Sequence, residues 1–241
     1  MKNDDIEEVR KRLGEARSVA VLTGAGVSAE SGVPTFRGDG GLWRNYRAEE
    51  LATPQAFARD PSLVWEWYSM RRELLADIRP NPAHIALATL EEKVVDFTLI
   101  TQNVDGLHAM GGSRNIVELH GNIWRVRCTG CGVVKENRDV PIAIPPSCSK
   151  CGAILRPHIV WFGESLPGDA ITTAYGALER CDLLLVIGTS GVVQPAASMA
   201  SMARGAGGYV VEVNIESTPN TAVVDKTIEG KATEVVPLIV G

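Results

Sequence analysis

The sequence predicts an α/β protein with a doubly wound parallel sheet, because two patterns recur along the chain. Short runs of aliphatic and β-branched residues, typical of strands buried on both faces, alternate with amphipathic helical stretches. Several of these runs end in glycine or polar residues, as strands do where they leave a sheet. Such alternation is typical of parallel sheets covered by helices. The 241 residues are enough for one large domain or two small ones.

Hydrophobic periodicity predicts the elements in chain order. Apolar spacings of three and four predict a helix over residues 4–17, and the mixture of aromatic and polar residues at 39–60 indicates short helices and loops. The other predicted elements are strand 18–23, helix 62–79, helix 82–93 capped by Asn81-Pro82, strands 94–100 and 116–119, helix 168–180, strand 182–187, a helix from near Pro195, strands 209–213 and 226–229, and a last helix after Gly230.

Composition and charge exclude several classes of function. A hydrophobic content of 45% with 22% charged residues is typical of a soluble globular protein. A formal net charge of −5 argues against binding nucleic acid or anionic membranes through bulk charge. No apolar run approaches the roughly 20 residues of a membrane span, and Met1–Glu8 lacks the apolar core of a signal peptide. We therefore expect a cytoplasmic protein with no membrane or direct nucleic-acid partner.

Four of the five cysteines have the spacing of a metal site. Cys128-x2-Cys131 and Cys148-x2-Cys151 fit a tetrahedral zinc site made from two tight turns. Disulfides are disfavoured by the expected cytoplasmic location, and a redox dithiol by the two matched pairs. Four thiolates leave no open coordination position, so the metal is expected to be structural, in a small module over 123–157. The fifth, Cys181, is expected to be a small buried apolar residue.

A glycine-rich turn follows the first predicted strand. Gly24-Ala25-Gly26 allows a tight turn and close approach of a ligand, and Ser28 is predicted to cap a helix whose N–H groups suit a phosphate. Phe36 and Arg37 then lie on a loop that Gly32, Pro34 and Gly38 keep out of any long helix. This loop is either a ligand cover or a loop that packs Phe36 inward.

Polar residues follow the other predicted strands as well. Residues 102–105, 188–190 and 214–216 join the glycine turn at the carboxyl ends of strands, where open parallel sheets bind ligands. This coincidence predicts a dinucleotide site, with Glu216 suited to ribose hydroxyls. The usual βαβ continuation is replaced by an insertion, which predicts a non-standard cofactor pose. His120, also at a strand end, is either a structural histidine or an acid–base group.

The helix predicted over 62–79 carries one arginine among aliphatic residues. On a helical wheel one apolar face contains Leu63, Trp67, Met70, Leu74 and Ile78. Arg71 falls inside this arc, Tyr68 lies at its edge, and Arg72 is predicted to point outward. Because an unpaired buried charge is costly, Arg71 has either an internal acidic partner or a carboxylate ligand shared with the Tyr68 hydroxyl.

A second apolar stretch, residues 158–164, is strand-like. If it lies at an exposed edge, it could pair with an extended peptide. The alternative is burial in the core.

Together these motifs resemble the sirtuins, the NAD-dependent protein lysine deacylases. The matching motifs are the stretch Gly24–Arg37, Thr101–Asp105, His120-Gly121-Asn122, the four cysteines, Gly188-Thr189-Ser190 and Val213-Asn214. The resemblance covers almost the whole chain. It implies a Rossmann-like large domain (1–38, 81–122 and 158–241) and a small domain formed by a helical insertion (39–80) and the zinc module (123–157). NAD and an acyl-lysine would enter the cleft between them.

The resemblance also implies roles for individual residues. His120 would be the general base on a ribose hydroxyl, and Asn103 would order the ribose or a water. Ala25, Phe36 and Arg37 would cover the nicotinamide ribose. The NAD-binding set would be Gly24, Ala25, Gly26, Ser28, Phe36, Arg37, Trp43, Gln102, Asn103, Val104, Asp105, Gly188, Thr189, Ser190, Asn214, Ile215, Glu216 and Ala232, with Val104 and Asp105 on the nicotinamide carboxamide and Ser190, Asn214, Glu216 and Ala232 on the adenosine.

For the substrate, the resemblance implies an acylated lysine bound as part of an extended strand. The peptide would contact Val160, Trp161, Phe162, Gly163, Glu164 and Val193. Tyr68-Ser-Met-Arg71 matches the Tyr-x-x-Arg pair of class III sirtuins, which prefer succinyl-, malonyl- or glutaryl-lysine. We therefore expect desuccinylation beside deacetylation, with nicotinamide, O-acyl-ADP-ribose and free lysine as products. The resemblance permits a monomer.

Three other functions compete with this interpretation. A mono-ADP-ribosyltransferase would use the same NAD site with a protein nucleophile. A non-catalytic, nucleotide-sensing zinc scaffold is disfavoured, because binding alone needs no base such as His120 beside Asn103 and Asp105. A nucleic-acid zinc ribbon is the weakest alternative, since the basic residues of the cysteine module are few and mixed with acidic ones.

Overall fold

The computed structural model describes residues 3–34, 42–43 and 46–241. Its helices are α1 (Asn3–Glu15), α2 (Gly26–Ala29), α3 (Ala48–Leu51), α4 (Pro54–Arg59), α5 (Pro61–Ala76), α6 (Pro82–Lys93), α7 (Leu107–Met110), α8 (Gly168–Arg180), α9 (Ala196–Gly205) and α10 (Ala232–Val240). Its strands are β1 (Ser18–Thr23), β2 (Leu42–Trp43), β3 (Tyr46–Arg47), β4 (Asp96–Thr101), β5 (Ile116–Glu118), β6 (Gly121–Cys128), β7 (Val134–Glu136), β8 (Leu155–Ile159), β9 (Leu183–Ile187), β10 (Tyr209–Asn214) and β11 (Lys226–Glu229).

The main sheet confirms the predicted fold class. Six of the described strands pair in parallel in the order β11-β10-β9-β1-β4-β5. The chain runs outward from β1 to β5, then returns to the other side of β1 and runs outward again from β9 to β11. The strand order therefore reverses between β1 and β9, which is where open α/β sheets form a ligand crevice.

Each face of this sheet has its own hydrophobic core. Val19 and Val21 of β1 pack on the face covered by α1, α6 and α10, whereas Ala20 and Leu22 pack on the face covered by α8 and α9. Successive residues of a strand point to opposite faces, so a strand covered on both sides is apolar throughout. This is why the short aliphatic runs were sufficient to predict the central strands.

A third core joins the helical insertion to the cysteine module. In the described residues β6, β7 and β8 form an antiparallel three-stranded sheet, and α3, α4 and α5 pack against it. Trp65 of α5 is buried there, and its indole N–H donates to the Leu155 carbonyl of β8 at 2.7 Å. The two segments thus share one core. The division of the chain into a large and a small domain stays a prediction.

The buried face predicted for α5 is correct in part, because Trp67 is buried and Leu63, Met70 and Ile78 pack against the third core. Leu74 of the predicted face is 54% exposed. The other buried residues include Val64, Trp65, Tyr68, Arg72 and Leu75, so the packed surface extends well beyond the predicted face. Apolar residues surround most of this helix, so periodicity alone left the partner face undetermined.

Arg72, predicted to point outward, is instead only 1% exposed. Its Nε and Nη2 donate to the Ile123 carbonyl at 3.0 and 2.7 Å, and its Nη1 donates to Asn137. These bonds tie α5 to β6 and satisfy the buried guanidinium, as a buried charge requires. Burial lowers the pKa of Arg72 to about 10, which still leaves the group charged at neutral pH.

The strand predicted over 158–164 is also wrong beyond its first residues. β8 ends at Ile159, and the Glu164 N–H donates to the Trp161 carbonyl at 2.9 Å, which closes a tight turn. Gly163 in this turn has φ of 86°, a conformation that favours glycine. None of the helices in the described ranges is long and apolar enough to cross a membrane.

Candidate active site at the carboxyl edge of the parallel sheet

The polar strand ends meet at one edge of the sheet, as predicted. The Gln102 side chain, just after β4, donates to Thr189 Oγ1 at 2.9 Å, just after β9. The Asn214 side chain, at the end of β10, donates to the Thr189 carbonyl at 2.9 Å. Three strand ends are therefore bonded to one another beside the point where the strand order reverses.

The glycines of this edge serve contact between two loops. A Cβ on Gly26 would lie 2.7 Å from Gly188 Cα, and one on Gly24 would lie 2.8 Å from the Gly188 carbonyl oxygen. The Gly26 N–H already donates to that oxygen at 2.8 Å. The absence of a Cβ at Gly24 and Gly26 thus allows the loops after β1 and β9 to touch. The Gly26 N–H is already hydrogen-bonded within the protein.

Ser28 does not cap a helix, contrary to the prediction. It lies inside the short helix α2, and the N-cap position is held by Ala25 without a side-chain bond. Ser28 is fully buried, and its Oγ lies 3.3 Å from His84 Nε2 and 3.2 Å from Asn103 Nδ2. The serine is therefore part of a buried polar network.

The proton positions in this network follow from its donors. The Asn81 backbone N–H donates to His84 Nδ1, so the His84 proton is on Nε2 and is donated to Ser28 Oγ. Asn103 Nδ2–H also donates to Ser28 Oγ. The Ser28 hydroxyl can therefore donate its own proton to Asp105. Burial raises the pKa of the Asp105 carboxyl, and this hydrogen bond from Ser28 lowers it.

Asp105 is held firmly from two sides. It is 5% exposed, and its Oδ1 accepts the Leu107 N–H at 2.8 Å. The Trp124 indole N–H donates to the Asp105 carbonyl at 2.8 Å, so β6 also contacts this residue. Burial is the largest influence on the Asp105 carboxyl and raises its pKa.

His120 is fixed in one tautomer. Its Nδ1 lies 2.9 Å from the Gln102 carbonyl oxygen, which only accepts, so Nδ1 carries the proton and Nε2 keeps a lone pair. Burial lowers the pKa of His120, and the bond to the Gln102 carbonyl raises it. The net effect is a lowered pKa, so the imidazole is neutral at pH 7 and able to accept a proton at Nε2.

A second histidine pair, which the sequence analysis missed, lies behind these residues. The His84 and His108 rings are 4.8 Å apart, and His108 Nε2 lies 2.9 Å from Thr23 Oγ1. Burial lowers the pKa of His84 to about 4, and burial together with the neighbouring histidine lowers that of His108 to about 3. Asn81-Pro-Ala-His84 is a capping sequence that could have located His84 at the start of α6; no local pattern marks His108.

The four cysteines form the predicted metal cluster. Their Sγ atoms lie within 4.8 Å of one another, with Cys128 and Cys151 3.4 Å apart and Cys131 and Cys148 3.8 Å apart. Tetrahedral zinc with Zn–S bonds of about 2.3 Å places sulfurs roughly 3.8 Å apart. No disulfide links these cysteines. The donor set therefore fits one structural zinc ion.

The predicted acyl pair sits at the inner side of α5. Tyr68 is predicted to lie at the edge of the apolar helix face, but it is only 1% exposed and is therefore part of the buried face. The Arg71 guanidinium carbon lies 5.1 Å from the Trp67 ring centroid and 5.9 Å from that of Tyr68. Burial lowers the pKa of Arg71, whereas Tyr68 and Asp105 act to raise it. Arg71 is thus within electrostatic reach of both the Tyr68 phenol and the Asp105 carboxylate.

The remaining predicted residues differ in exposure. Ser190, Ile215 and Glu216 are exposed after β9 and β10, and Ala232 begins α10. Phe162 and Val193 are 53% and 41% exposed, whereas Trp161 is buried. Phe36 and Arg37 lie outside the described residues, and Trp43 is described only as part of the backbone of β2.

The fold and the site together define a zinc-bearing α/β protein with a dinucleotide-type crevice. The model of the Sir2 family matches residues 24–195, more than half of the chain, so this chain belongs to the Sir2 family. The sirtuin identification made from the motifs is thereby confirmed.

Similar proteins span nearly the whole chain. The NAD-dependent protein deacylase of Pyrococcus furiosus is 52% identical over 239 residues, covering 97% of this chain and 96% of the relative. NAD-dependent protein deacylase 2 of Pyrobaculum aerophilum is 55% identical over 229 residues, covering 95% and 92%.

Solved structures agree with the fold. A Sir2 homologue in complex with NAD is 51% identical with a TM-score of 0.91, covering 97% of this chain and 92% of the neighbour. A Sir2 structure with a p53 peptide and NAD+ is 34% identical with a TM-score of 0.86, covering 98% and 96%.

Proposed function

We propose that this chain is an NAD-dependent protein lysine deacylase that removes acetyl groups and also short acyl groups ending in a carboxylate, such as succinyl and malonyl. The observation that carries the proposal is the state of His120. Its Nδ1–H is donated to the Gln102 carbonyl, which leaves a neutral Nε2 at the carboxyl edge of the sheet. A general base needs such a fixed lone pair. The relatives named NAD-dependent protein deacylases support the same activity.

The polar groups at the carboxyl edge of the sheet fit NAD, and each group has its own role. Bound NAD would supply an ADP-ribose carbon that accepts the acyl oxygen, with nicotinamide as the leaving group. His120 Nε2 would take the proton of a ribose hydroxyl, and Asn103, whose Nδ2 donates to the Gly24 carbonyl and to Ser28 Oγ, would orient the ribose or a water. Asp105 and Val104 would bind the nicotinamide carboxamide.

The adenosine end is assigned to the loops after β9, β10 and β11. Ser190 and Glu216 are exposed and can reach a ligand, whereas the Asn214 side chain is bonded to Thr189 and shapes the loop. Glu216 suits ribose hydroxyls. Ala232 lies where α10 begins, close to the end of β11.

The carboxylate specificity rests on Tyr68 and Arg71. A carboxylate at the end of an acyl chain could accept one hydrogen bond from the phenol and one or two from the guanidinium. The distance of 5.9 Å between the Arg71 guanidinium carbon and the Tyr68 ring centroid leaves both groups within reach of one small anion. The internal partner of Arg71 considered from the sequence would be Asp105, which raises its pKa.

The substrate is proposed to be an acylated-lysine protein or peptide bound in extended form. Phe162 and Val193 offer exposed apolar side chains, and Val160, which precedes the turn that contains Gly163 and Glu164, donates its N–H to the His120 carbonyl at 2.9 Å. The Sir2 structure with a p53 peptide supports peptide binding of this kind. We propose a cytoplasmic enzyme that acts as a monomer.

The test is mass spectrometry of one lysine peptide, carrying either an acetyl or a succinyl group, incubated with and without NAD. The Arg71→Met variant is expected to lose desuccinylation selectively, because methionine keeps the side-chain length without the charge. Arg59→Met, which changes an exposed arginine on the neighbouring helix α4, is the matched control.

The outcomes separate the two parts of the proposal. Removal of acetyl alone would contradict the carboxylate specificity and leave Arg71 as an internal ion-pair partner. If neither acyl group is removed while nicotinamide is still released, the deacylase proposal is wrong and ADP-ribosyl transfer replaces it.

A further inference from the structure

The Tyr68 hydroxyl has an unusual hydrogen-bond arrangement for a buried phenol. The Trp161 indole N–H donates to the Tyr68 oxygen at 2.9 Å. An indole nitrogen never accepts, so Tyr68 is the acceptor and its own proton must be donated elsewhere. Within the described part of the chain this proton has no acceptor, and the adjacent Arg71 guanidinium also only donates.

We propose that Trp161 is a positioning residue for acyl specificity, because its indole N–H fixes the Tyr68 O–H so that the proton is presented to the distal carboxylate of an acidic acyl-lysine. This inference rests on the acidic-acyl specificity proposed above. The phenol proton prefers two orientations in the ring plane. The orientation towards Trp161 would bring two donors face to face, so the other orientation is favoured.

The same bond makes the phenol a better donor. A hydroxyl that accepts a hydrogen bond is polarised, and its own O–H bond to a further acceptor is strengthened. Burial raises the pKa of Tyr68 to about 12, so the proton is kept at neutral pH. Tyr68 thus offers a neutral donor beside the cationic Arg71, and an acyl chain without a terminal carboxylate has no acceptor for either.

Trp161 is itself immobilised. The Arg156 guanidinium carbon lies 3.4 Å from the Trp161 ring centroid, and the Phe57 ring lies 5.2 Å from it. Glu164 accepts the Trp161 backbone N–H at 2.9 Å and binds Arg156 through both oxygens, at 2.6 and 2.8 Å. Residues of the turn after β8 therefore determine the hydrogen-bond direction of a residue in helix α5.

Trp161 and Glu164, which were predicted to contact the substrate peptide, have a different role in this arrangement. The Trp161 side chain points into the shared core with 2% exposure, and its backbone N–H is occupied by Glu164. The Glu164 carboxylate is occupied by Arg156 and by that N–H. Both residues thus act on the acyl group through Tyr68, at the far end of the substrate lysine.

The experiment compares Trp161→Phe, Tyr68→Phe, the double variant and wild type on one peptide carrying acetyl or succinyl. Phenylalanine retains an aromatic ring at position 161 but removes the indole N–H together with part of the ring system, so a control that loses the same volume is needed. We expect KM for the succinyl peptide to rise about five- to tenfold, the effect of roughly one hydrogen bond, with a much smaller change for the acetyl peptide. The change should be in KM and not in kcat, because the distal carboxylate is bound before and during the reaction.

Trp65→Phe is the matched control. Trp65 is buried in the same core, and its indole N–H donates to the Leu155 carbonyl, so the same chemical group is lost without loss of the bond to Tyr68. Thermal unfolding of each variant reports any general loss of stability. Trp65→Phe should leave the succinyl-to-acetyl ratio of kcat/KM close to that of wild type.

In the double variant, Trp161→Phe should add nothing to the succinyl-to-acetyl ratio of Tyr68→Phe, because the two groups act as one unit. Equal losses for both peptides, a loss confined to kcat, or additive effects in the double variant would overturn the inference alone. Absence of desuccinylation by wild type would overturn it together with the proposed acidic-acyl specificity, whereas deacetylation would still report the deacylase activity.

Discussion

The carboxyl edge of the parallel sheet and the face between α5 and the cysteine module were predictable to different degrees. At the edge, Gln102, Thr189 and Asn214 meet as their positions after strands predicted. At α5, the packed surface extends beyond the predicted face, and Arg72, predicted to point outward, is buried. Parallel strands bring all their carboxyl ends to one edge whatever the side chains are, whereas a helix can present any of its faces.

The adjacent arginines show what this difference means for function. Arg72 is 1% exposed and bonded to the Ile123 carbonyl, so it joins α5 to β6. Arg71 lies beside Trp67 and Tyr68, where the acyl group is proposed to bind. The sequence predicted that only Arg71 points inward. In the structure Arg72 is also inward and joins α5 to β6, whereas Arg71 is assigned to the proposed acyl site.

The largest expected effect is at the sheet edge. His120→Ala should lower kcat/KM of deacylation by about 10²- to 10⁴-fold, because the base at Nε2 is lost. The measurement is steady-state kinetics on an acetylated peptide, with thermal unfolding to check folding. His158→Ala, which removes a half-buried histidine from β8, is the control. A loss of less than tenfold would remove His120 from the chemistry.

The next effect concerns the cysteine module. Cys131→Ser should abolish stoichiometric zinc binding and lower Tm by about 5 °C or more, because the metal holds the strands that form the core with α5. Metal analysis and thermal unfolding measure both changes. Cys181→Ser alters a buried cysteine outside the cluster and should retain its zinc. Retention of zinc by Cys131→Ser would contradict the four-thiolate site.

The two arginines give a direct test of the α5 assignment. Arg72→Met should destabilise the fold by about 2 kcal/mol, because the Ile123 carbonyl loses both of its donors in the interior. Arg71→Met should cost less than about 1 kcal/mol and change acyl preference instead. Urea unfolding of the pair measures the difference. Equal destabilisation would mean that both arginines are structural.

A further prediction concerns the pH dependence of stability that the buried histidines cause. Burial and His84 lower the pKa of His108 to about 3 from an ordinary 6.5, so between these values the unfolded chain binds a proton that the folded chain does not. Stability is therefore full above pH 6.5 and is lost as pH falls, by about 1.4 kcal/mol per pH unit from this group.

His108→Gln should accordingly lose less stability than wild type between pH 6.5 and 4.5 in urea unfolding. His84, whose pKa is lowered to about 4, is retained in both proteins and contributes to each slope. Identical slopes for the two proteins would show that His108 is already protonated in the folded state.

The sequence by itself determined the order of the six parallel strands and of the longer helices, the cysteine cluster and the identity of the polar groups at the sheet edge. These depend on local periodicity and on spacing, which the chain carries whatever surrounds it. It also marked His120 at a strand end, but it left open whether the imidazole was structural or basic. The bond of Nδ1 to the Gln102 carbonyl, which comes from another strand, fixed the tautomer.

Only the tertiary structure decided which faces meet and which hydrogen-bond partners each polar group has. Ser28 was expected at a helix cap and lies instead between His84 and Asn103, from segments far apart in the chain. Trp161 and Tyr68 are 93 residues apart, and no local pattern could pair the indole with the phenol. Buried polar groups must find partners wherever packing puts them, and packing is a property of the whole fold.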